Sequence, residues 1–467
     1  MENKKYNFFR NSLILGLIML ININCERDLS DDAVKTGFST TAEVFIDGFS
    51  SGLEYYPYEN SKFDAFTVDC ETKYSGSSSM RFDVPNFGDP EGAFAGAIFR
   101  DDNGGRDLTQ YNALTFWAKG TKAGKINEIG YGQDFGENKY EVSIQNLHLT
   151  TNWKKYIIPI PDASKLTQER GMFWYAEGPE DEDGYTFWID ELKFEKLGTI
   201  AQGQVSILNG NNQTVTSYVG VNSIIDGITA TFNLTNGSNQ TISISPSYLQ
   251  FNSSNTAVAA VDSSGSITSL SAGTAVINAT FGGASVTGSL TVNCVGAFVH
   301  APTPTKSQAN VISLFSDVYS NVPVNYYNGY WQPWQTTVSN DFSVQGDNIL
   351  NYTIFNFVGI EYSSPTIDAN LMTHVHLDVF IPGSIEPGRQ LRVLVVDFGA
   401  DGVFGGGDDT RHSTTFTAPT LVSQNWISID IPFSAMPNLA SRSHLAQLIL
   451  EGGDGSLIYV DNIYYYN

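Results

Sequence analysis

The sequence predicts an all-β chain built as three β-sandwich domains in series. Short apolar runs recur along its length, each bounded by Gly, Asn, Ser, Asp or Pro, which is the pattern of strands joined by polar turns. Only 16% of residues are charged, 43 are glycine, and helical periodicity is scarce. A length of 467 residues exceeds what one hydrophobic core fills and allows about three domains of roughly 100–150 residues.

The first element is an N-terminal signal. Lys4, Lys5 and Arg10 precede an apolar run from Ser12 to Ile23 that is too short for a lasting transmembrane helix, so residues 1–24 are assigned to a signal peptide. Cys25 follows, then Glu26, Asp28, Asp31 and Asp32. This arrangement resembles a bacterial lipoprotein signal, which implies lipidation of Cys25, an outer-membrane anchor and display on the cell surface. Residues 25–42 are then the lipidated Cys and a polar tether. The other cysteines, Cys70 and Cys294, lie in different domains; they imply no disulfide and are expected to be small buried residues.

Residues 43–198 alternate apolar runs with turns. Val44–Phe49, Ser79–Val84, Ala113–Ala118, Trp153–Ile160 and Tyr185–Leu192 are expected strands. The order Tyr74–Phe82, Asp107–Gly120, Trp188–Leu192 resembles the jelly-roll carbohydrate-binding modules. The resemblance implies saccharide contacts from aromatic rings, for which Tyr55, Tyr56, Tyr58, Phe173, Trp174 and Tyr175 are candidates; core or turn roles are the alternative.

Residues 199–296 are nearly free of charge and rich in Ser, Thr, Asn, Gly and Val. Phe251–Asp262 followed by Ser264–Ile277 resembles the bacterial Ig-like group 2 domain, with Gly265 and Gly273 at tight turns. Such a domain is expected to act as a rigid spacer. Residues 297–309, with Pro302 and Pro304, form an expected linker that holds modules apart.

The last domain spans 310–467 and opens on the most informative stretch of the chain. Between Pro323 and Asn340 there is no charge, and Tyr326, Tyr327, Tyr330, Trp331 and Trp334 are interleaved with Asn325, Asn328, Gln332, Gln335, Gly329 and Pro333. Indole and phenol rings stack on the apolar face of a pyranose, while amides serve its hydroxyls. Pro333 cannot donate to a ladder, which favours a loop or sheet edge over a core strand. Trp331 and Trp334 are therefore expected to form a platform, with Tyr327 and Tyr330 at its edges and Gln332 and Gln335 supplying hydrogen bonds. Three extended residues would separate the indoles by roughly 10 Å. The alternative is a core role for these rings. The order of runs through His374–Phe380 and Tyr459–Tyr464 resembles β-sandwich modules appended to laminarinases and related β-glucanases, and the resemblance implies a β-1,3-glucan ligand.

Charge and motifs exclude other classes. Lys and Arg total 25 against 49 Asp and Glu, a net charge of −24, so no electrostatic footprint for nucleic acid exists. No zinc-binding His-Glu-x-x-His, nucleophile elbow or phosphate loop occurs, and Glu180–Asp183 is expected to be a solvated loop rather than a glycosidase pair. Asp47 with Asp190, and Asp317 with Asp461, stand at opposite ends of the first and last domains and are candidate Ca²⁺ ligands; turn capping is the alternative. Asp397–Asp409 is expected to be a hairpin loop. Together these features predict a non-catalytic surface protein that captures a neutral polysaccharide; the arrangement resembles the surface glycan-binding lipoproteins of bacterial polysaccharide-utilisation systems, and the resemblance implies an outer-membrane transporter and surface hydrolases as partners. The alternatives are a divergent hydrolase or lyase, and a structural adhesin.

Overall fold

A computed structural model describes residues 38–467 except 199, 235 and 236; Cys25 and its surroundings lie outside the described residues. The described chain is all-β, its only helices being short 3-10 turns. It divides into two compact units, one ending at Ile200 and one running from Ala201 to Asn467.

The first unit packs two sheets face to face. One runs in the order Phe66–Asp69, Ser79–Val84, Tyr185–Glu195, Ala113–Gly120, Lys154–Pro159, with Glu43–Phe45 also beside Tyr185–Glu195. The other runs Val142–His148, Lys125–Tyr131, Gly171–Glu177, Ala95–Asp101, Leu53–Pro57. Alternation along the strands turns Phe82, Phe99, Phe173, Tyr175 and Phe187 inward. Their rings contact one another edge-on or stacked, as Phe82 does with Tyr175 at 4.5 Å and Phe187 at 4.7 Å. Buried charge is paired: Arg106 donates to Asp101 at 2.6 Å and to the Glu43 carbonyl at 2.7 Å. The expected first strand is shorter than Val44–Phe49, because Asp47 adopts a left-handed φ of 55°. Cys70 is exposed rather than buried, and Cys294 is buried; both are free.

Within the second unit, residues of the Ig-like region form a sheet in the order Asn212–Val219, Ser289–Ala297, Gly273–Phe281, Gln250–Ser253 and a smaller one of Asn222–Ile224, Ser266–Ser269, Ala259–Val261. Gly265 takes a φ of 76° at its hairpin, a conformation glycine adopts without strain. The C-terminal region forms a second sandwich. Val338–Asn340, Leu350–Thr353, Ile458–Tyr466, His374–Phe380 and Trp426–Pro432 make one layer, with Val311–Phe315 also paired to Ile458–Tyr466. Phe357–Glu361, Leu445–Glu451, Leu391–Asp397 and Thr410–Phe416 make the other. Val358, Ile360, Val393, Val395, Leu448 and Leu450 point from this second layer into the shared core.

Residues 297–309 do not hold the two sandwiches of this unit apart. Phe298 is buried with Tyr218 of the Ig-like region and with Phe380 and Tyr459 of the C-terminal region. The Lys306 carbonyl accepts from Tyr319 at 3.0 Å, and the Pro302 carbonyl from Asn462 at 3.3 Å. An apolar ring beside two prolines is drawn to the nearest core, and burial outweighs the preference of prolines for an extended spacer.

Candidate functional site

Four strands of the C-terminal region bring together residues far apart in sequence. Register pairs across a sheet share a face, so Phe357, Glu451 and Arg392 form one outward row, Gly359, Ile449 and Leu394 the next, and Glu361, Gln447, Val396 and Arg411 a third. The stretch from Asn325 to Gln335 forms no strand and folds across this face. Above it lies a groove of about 800 Å³ lined by Trp331, Trp334, Phe357, Glu361, Phe404, Arg411 and Gln447 among others, a size suited to a small-molecule or oligosaccharide ligand.

The floor is built by subtraction. Gly359 has no side chain, and the Trp331 indole occupies the space where one would stand, with Cζ2 2.5 Å from the position of a Cβ. Trp331 also packs beside Phe357, ring centroids 6.3 Å apart. Its Nε1 donates to the Tyr326 hydroxyl at 3.2 Å, which donates in turn to Glu361 at 2.7 Å. Gln447 and Ser363 donate to the same carboxylate at 2.9 and 2.7 Å. Burial acts to raise the Glu361 pKa, but these hydrogen bonds outweigh it and hold the carboxyl below its ordinary value. The Tyr326 hydroxyl is pushed up to about 12 by burial and by the neighbouring Glu361. An ionised carboxylate with a fixed orientation therefore sits beside an apolar floor.

The walls are exposed rings. Trp334 is 74% exposed and Phe404 70% exposed. Trp334 is carried on a turn that Gln335 closes, its N–H donating to the Trp331 carbonyl at 3.0 Å. Phe404 leans on the buried Phe398 at 5.4 Å from the hairpin connection after Asp397, which is largely exposed from Ala400 onward.

The structure unites Trp331 and Trp334 but separates other expected members of the platform. Gln335 is only 3% exposed. Its side chain accepts from the Trp331 N–H and donates to Asn328 and to the Thr337 carbonyl, so it braces the loop and does not face a ligand. Gln332 is exposed and donates to the Gln335 carbonyl at 3.4 Å. Tyr327 and Tyr330 line a different concavity. Phe357, Glu361, Phe404, Arg411 and Gln447 were not singled out from the sequence. Only Phe404 carries a local signal, a large apolar residue set among Gly402, Gly405, Gly406 and Gly407.

In the first unit the candidate rings divide by face. Tyr55 shares a row with Phe99 and Phe173 and packs toward the core against Phe66 and Phe99. Phe173 and Tyr175 are core residues. Tyr56, Ile98 and Trp174 share the opposite row. Trp174 is nevertheless 3% exposed, too enclosed to offer its face to a sugar. Tyr56 donates to Asp102 at 2.6 Å and meets Phe135 edge-on. Tyr58 bonds Gln133 and lies over Phe94.

The carboxylate pairs differ. Each last strand carries an Asp followed by a residue in left-handed conformation, Asp190 before Glu191 at φ 51° and Asp461 before Asn462 at φ 50°, and each Asp accepts from the next N–H. In the first unit the loop 74–78 saturates the pair: Ser77 and Ser78 N–H groups donate to Asp47, and those of Tyr74 and Ser75 to Asp190. Five amides, these four and that of Glu191, already satisfy the carboxylates, and the donor set does not fit a cation. Asp317 accepts two bonds from Asn348, and Asp347 pairs with His300 at 2.6 Å. Asp461 is pushed up to about 7 by burial and by Asp347, Asp378 and Asp317. The like charges around Asp461 favour a cation, which Asp317 and Asp461 would hold, although among the described residues no three His, Cys, Asp or Glu form a ready metal-binding group. His374 and His376 stack on Tyr466 and Tyr464.

Comparison with known proteins agrees with this architecture. Residues 38–196 match the model of carbohydrate binding domain 30, and residues 247–283 that of the intimin immunoglobulin-like domain. The first unit is thus a carbohydrate-binding-module-like β-sandwich. A search of the curated proteins found no match. Among solved structures, a family 11 carbohydrate-binding module from Clostridium thermocellum, in complex with a β-1,3-1,4-mixed-linked tetrasaccharide, is 19% identical over 34% of this chain and 96% of its own, with a TM-score of 0.24. The family 30 module of a cellulosomal cellulase from the same organism is 20% identical over 35% and 96%, TM-score 0.24. A tandem family 22 module from Paenibacillus barcinonensis is 12% identical over 93% and 98%, TM-score 0.23. Likeness of this degree carries no weight for ligand or linkage.

Proposed function

We propose that this is a non-catalytic cell-surface glycan-binding protein that captures a neutral polysaccharide of the β-1,3-glucan class, such as laminarin, for degradation and uptake. The observation that carries the reading is the groove over Gly359, where a flat indole floor, the exposed walls Trp334 and Phe404, and the fixed acceptor Glu361 meet. Aromatic faces hold pyranose rings and a carboxylate accepts from their hydroxyls. The charge-free stretch from Pro323 to Asn340 favours a neutral ligand. The domain 30 match supports a saccharide-binding role, and the β-1,3 linkage rests on the resemblance of the C-terminal region to laminarinase-appended modules.

In this reading Cys25 carries a lipid that anchors the chain to the outer membrane, where it passes oligosaccharide to surface hydrolases and a transporter. Asp317 and Asp461 would hold Ca²⁺, whose positive charge would keep Asp461 ionised. Titration calorimetry with laminarin, alongside an assay for released reducing ends, tests the proposal. Binding without release is expected, whereas release of reducing ends would establish an enzyme, and absence of binding to any neutral glycan would leave the adhesin.

A further inference from the structure

The aromatic stretch serves two concavities rather than one. Trp331 and Trp334 line the groove, while Tyr327 and Tyr330 line a separate pocket of about 620 Å³ with Asn340, Phe342 and Asn351. The division falls at Tyr330, whose φ of 46° sends consecutive side chains to opposite sides. A bulky residue in this conformation is strained and persists where the surroundings impose it. Here they do: the Tyr330 N–H donates to Asn328 at 3.1 Å, and its hydroxyl is tied to the Ser339 hydroxyl at 2.9 Å. The ring is held in place while 48% exposed. On the facing strand, Asn351 pairs in register with Asn340. Its carboxamide oxygen is buried with no partner among the described residues, and such an acceptor calls for a donor that the folded chain does not supply.

We infer that this pocket is a second saccharide subsite, taking one or two neutral hexose units, with Tyr330 as the stacking ring and the Asn351 side chain turning its unsatisfied oxygen out of its buried position to accept from a sugar hydroxyl. The inference rests on the glycan-binding reading above but on different residues. The chain would then grip one polysaccharide at two points of the same module, or two strands at once, raising avidity through effective concentration.

Laminaritetraose titrated by calorimetry into the intact protein decides the matter, using Tyr330→Ala, Asn351→Leu and Trp334→Ala, with a melting curve for each. Expected is one saccharide fewer per chain for Tyr330→Ala and for Asn351→Leu, with the groove's binding retained, and the reverse loss for Trp334→Ala. Asn351→Leu replaces an unsatisfied buried oxygen with an apolar group of similar shape, so its melting temperature should hold or rise. A purely structural role for Asn351 would leave the isotherm alone whatever the melting curve does. If Asn351→Leu and Tyr330→Ala both titrate like the native protein, the subsite is overturned while the groove stands. If only Trp334→Ala is unchanged, the groove falls and the subsite stands; if the native protein binds nothing, both fall.

Discussion

The Trp331 indole lies against the backbone of Gly359, in the space a side chain would take. Gly359→Ala should therefore lift the ring from the sheet. Overpacking of this kind costs about 1–3 kcal/mol of stability, and laminarin affinity should fall roughly tenfold, equivalent to about 1.4 kcal/mol. Calorimetry together with circular dichroism checks this; native affinity in a folded variant would remove Trp331 from the platform.

The two tryptophans should behave differently. Trp334 is largely exposed and Trp331 is packed on the sheet. Trp334→Ala is expected to weaken binding about 30-fold, for a hot-spot loss of about 2 kcal/mol, while stability stays within about 0.5 kcal/mol. Trp331→Ala should lower both affinity and melting temperature. Equal melting losses in the two variants would contradict this division.

Stability without metal should decline as pH rises from about 5 through neutrality. Burial acts to lower the His376 pKa, but hydrogen bonds to Asp378 and Asp430 outweigh it and raise the value above 6.5; its stabilisation is full below that point and lost as pH climbs through the higher folded value. Asp461 is raised from 3.8 to about 7, so its folded form also binds the proton more tightly, and that contribution fades as pH rises through about 7. Thermal melts from about pH 5 to pH 8 in chelator should show the decline, and Asp461→Asn should flatten it. An equally steep curve in Asp461→Asn would show that Asp461 does not titrate as described.

Calcium should reverse that trend. A cation that binds only the folded state at a hundredfold excess over its Kd adds about 2.7 kcal/mol, and Ca²⁺ should raise the melting temperature more at pH 8 than at pH 5, where Asp461 holds a proton. Asp461→Ala should abolish the response and Asp47→Ala should not. A melting temperature indifferent to Ca²⁺ and to chelator would eliminate the site.

Cys25→Ala should release the protein from the membrane fraction. Mass spectrometry finding an unmodified Cys25 in the native protein would disprove the anchor.

Much of the fold was legible because strand alternation and glycine turns are local: Ser79–Val84 and His374–Phe380 are strands as the pattern predicts. The groove was legible only in part. Trp331 and Trp334 sit three residues apart in one loop, whereas Glu361, Phe404, Arg411 and Gln447 reach the same face through cross-strand register, which no local pattern encodes. Trp174 shows the converse limit. Its neighbours in sequence, Phe173 and Tyr175, face the core, yet Trp174 on the other side is buried as well, and alternation alone does not reveal what covers a face.

The burial of Phe298 among Tyr218, Phe380 and Tyr459 bears on how the glycan site can be isolated. A fragment cut at Asn310, where the aromatic-rich region begins, would leave Phe380 and Tyr459 without the rings that cover them. Bared apolar patches promote self-association, so such a fragment should purify as oligomers whose multivalent binding to polysaccharide imitates high affinity. A cut before Ala201 keeps this seam closed, so titration of that longer fragment is not distorted by exposure of Phe380 and Tyr459.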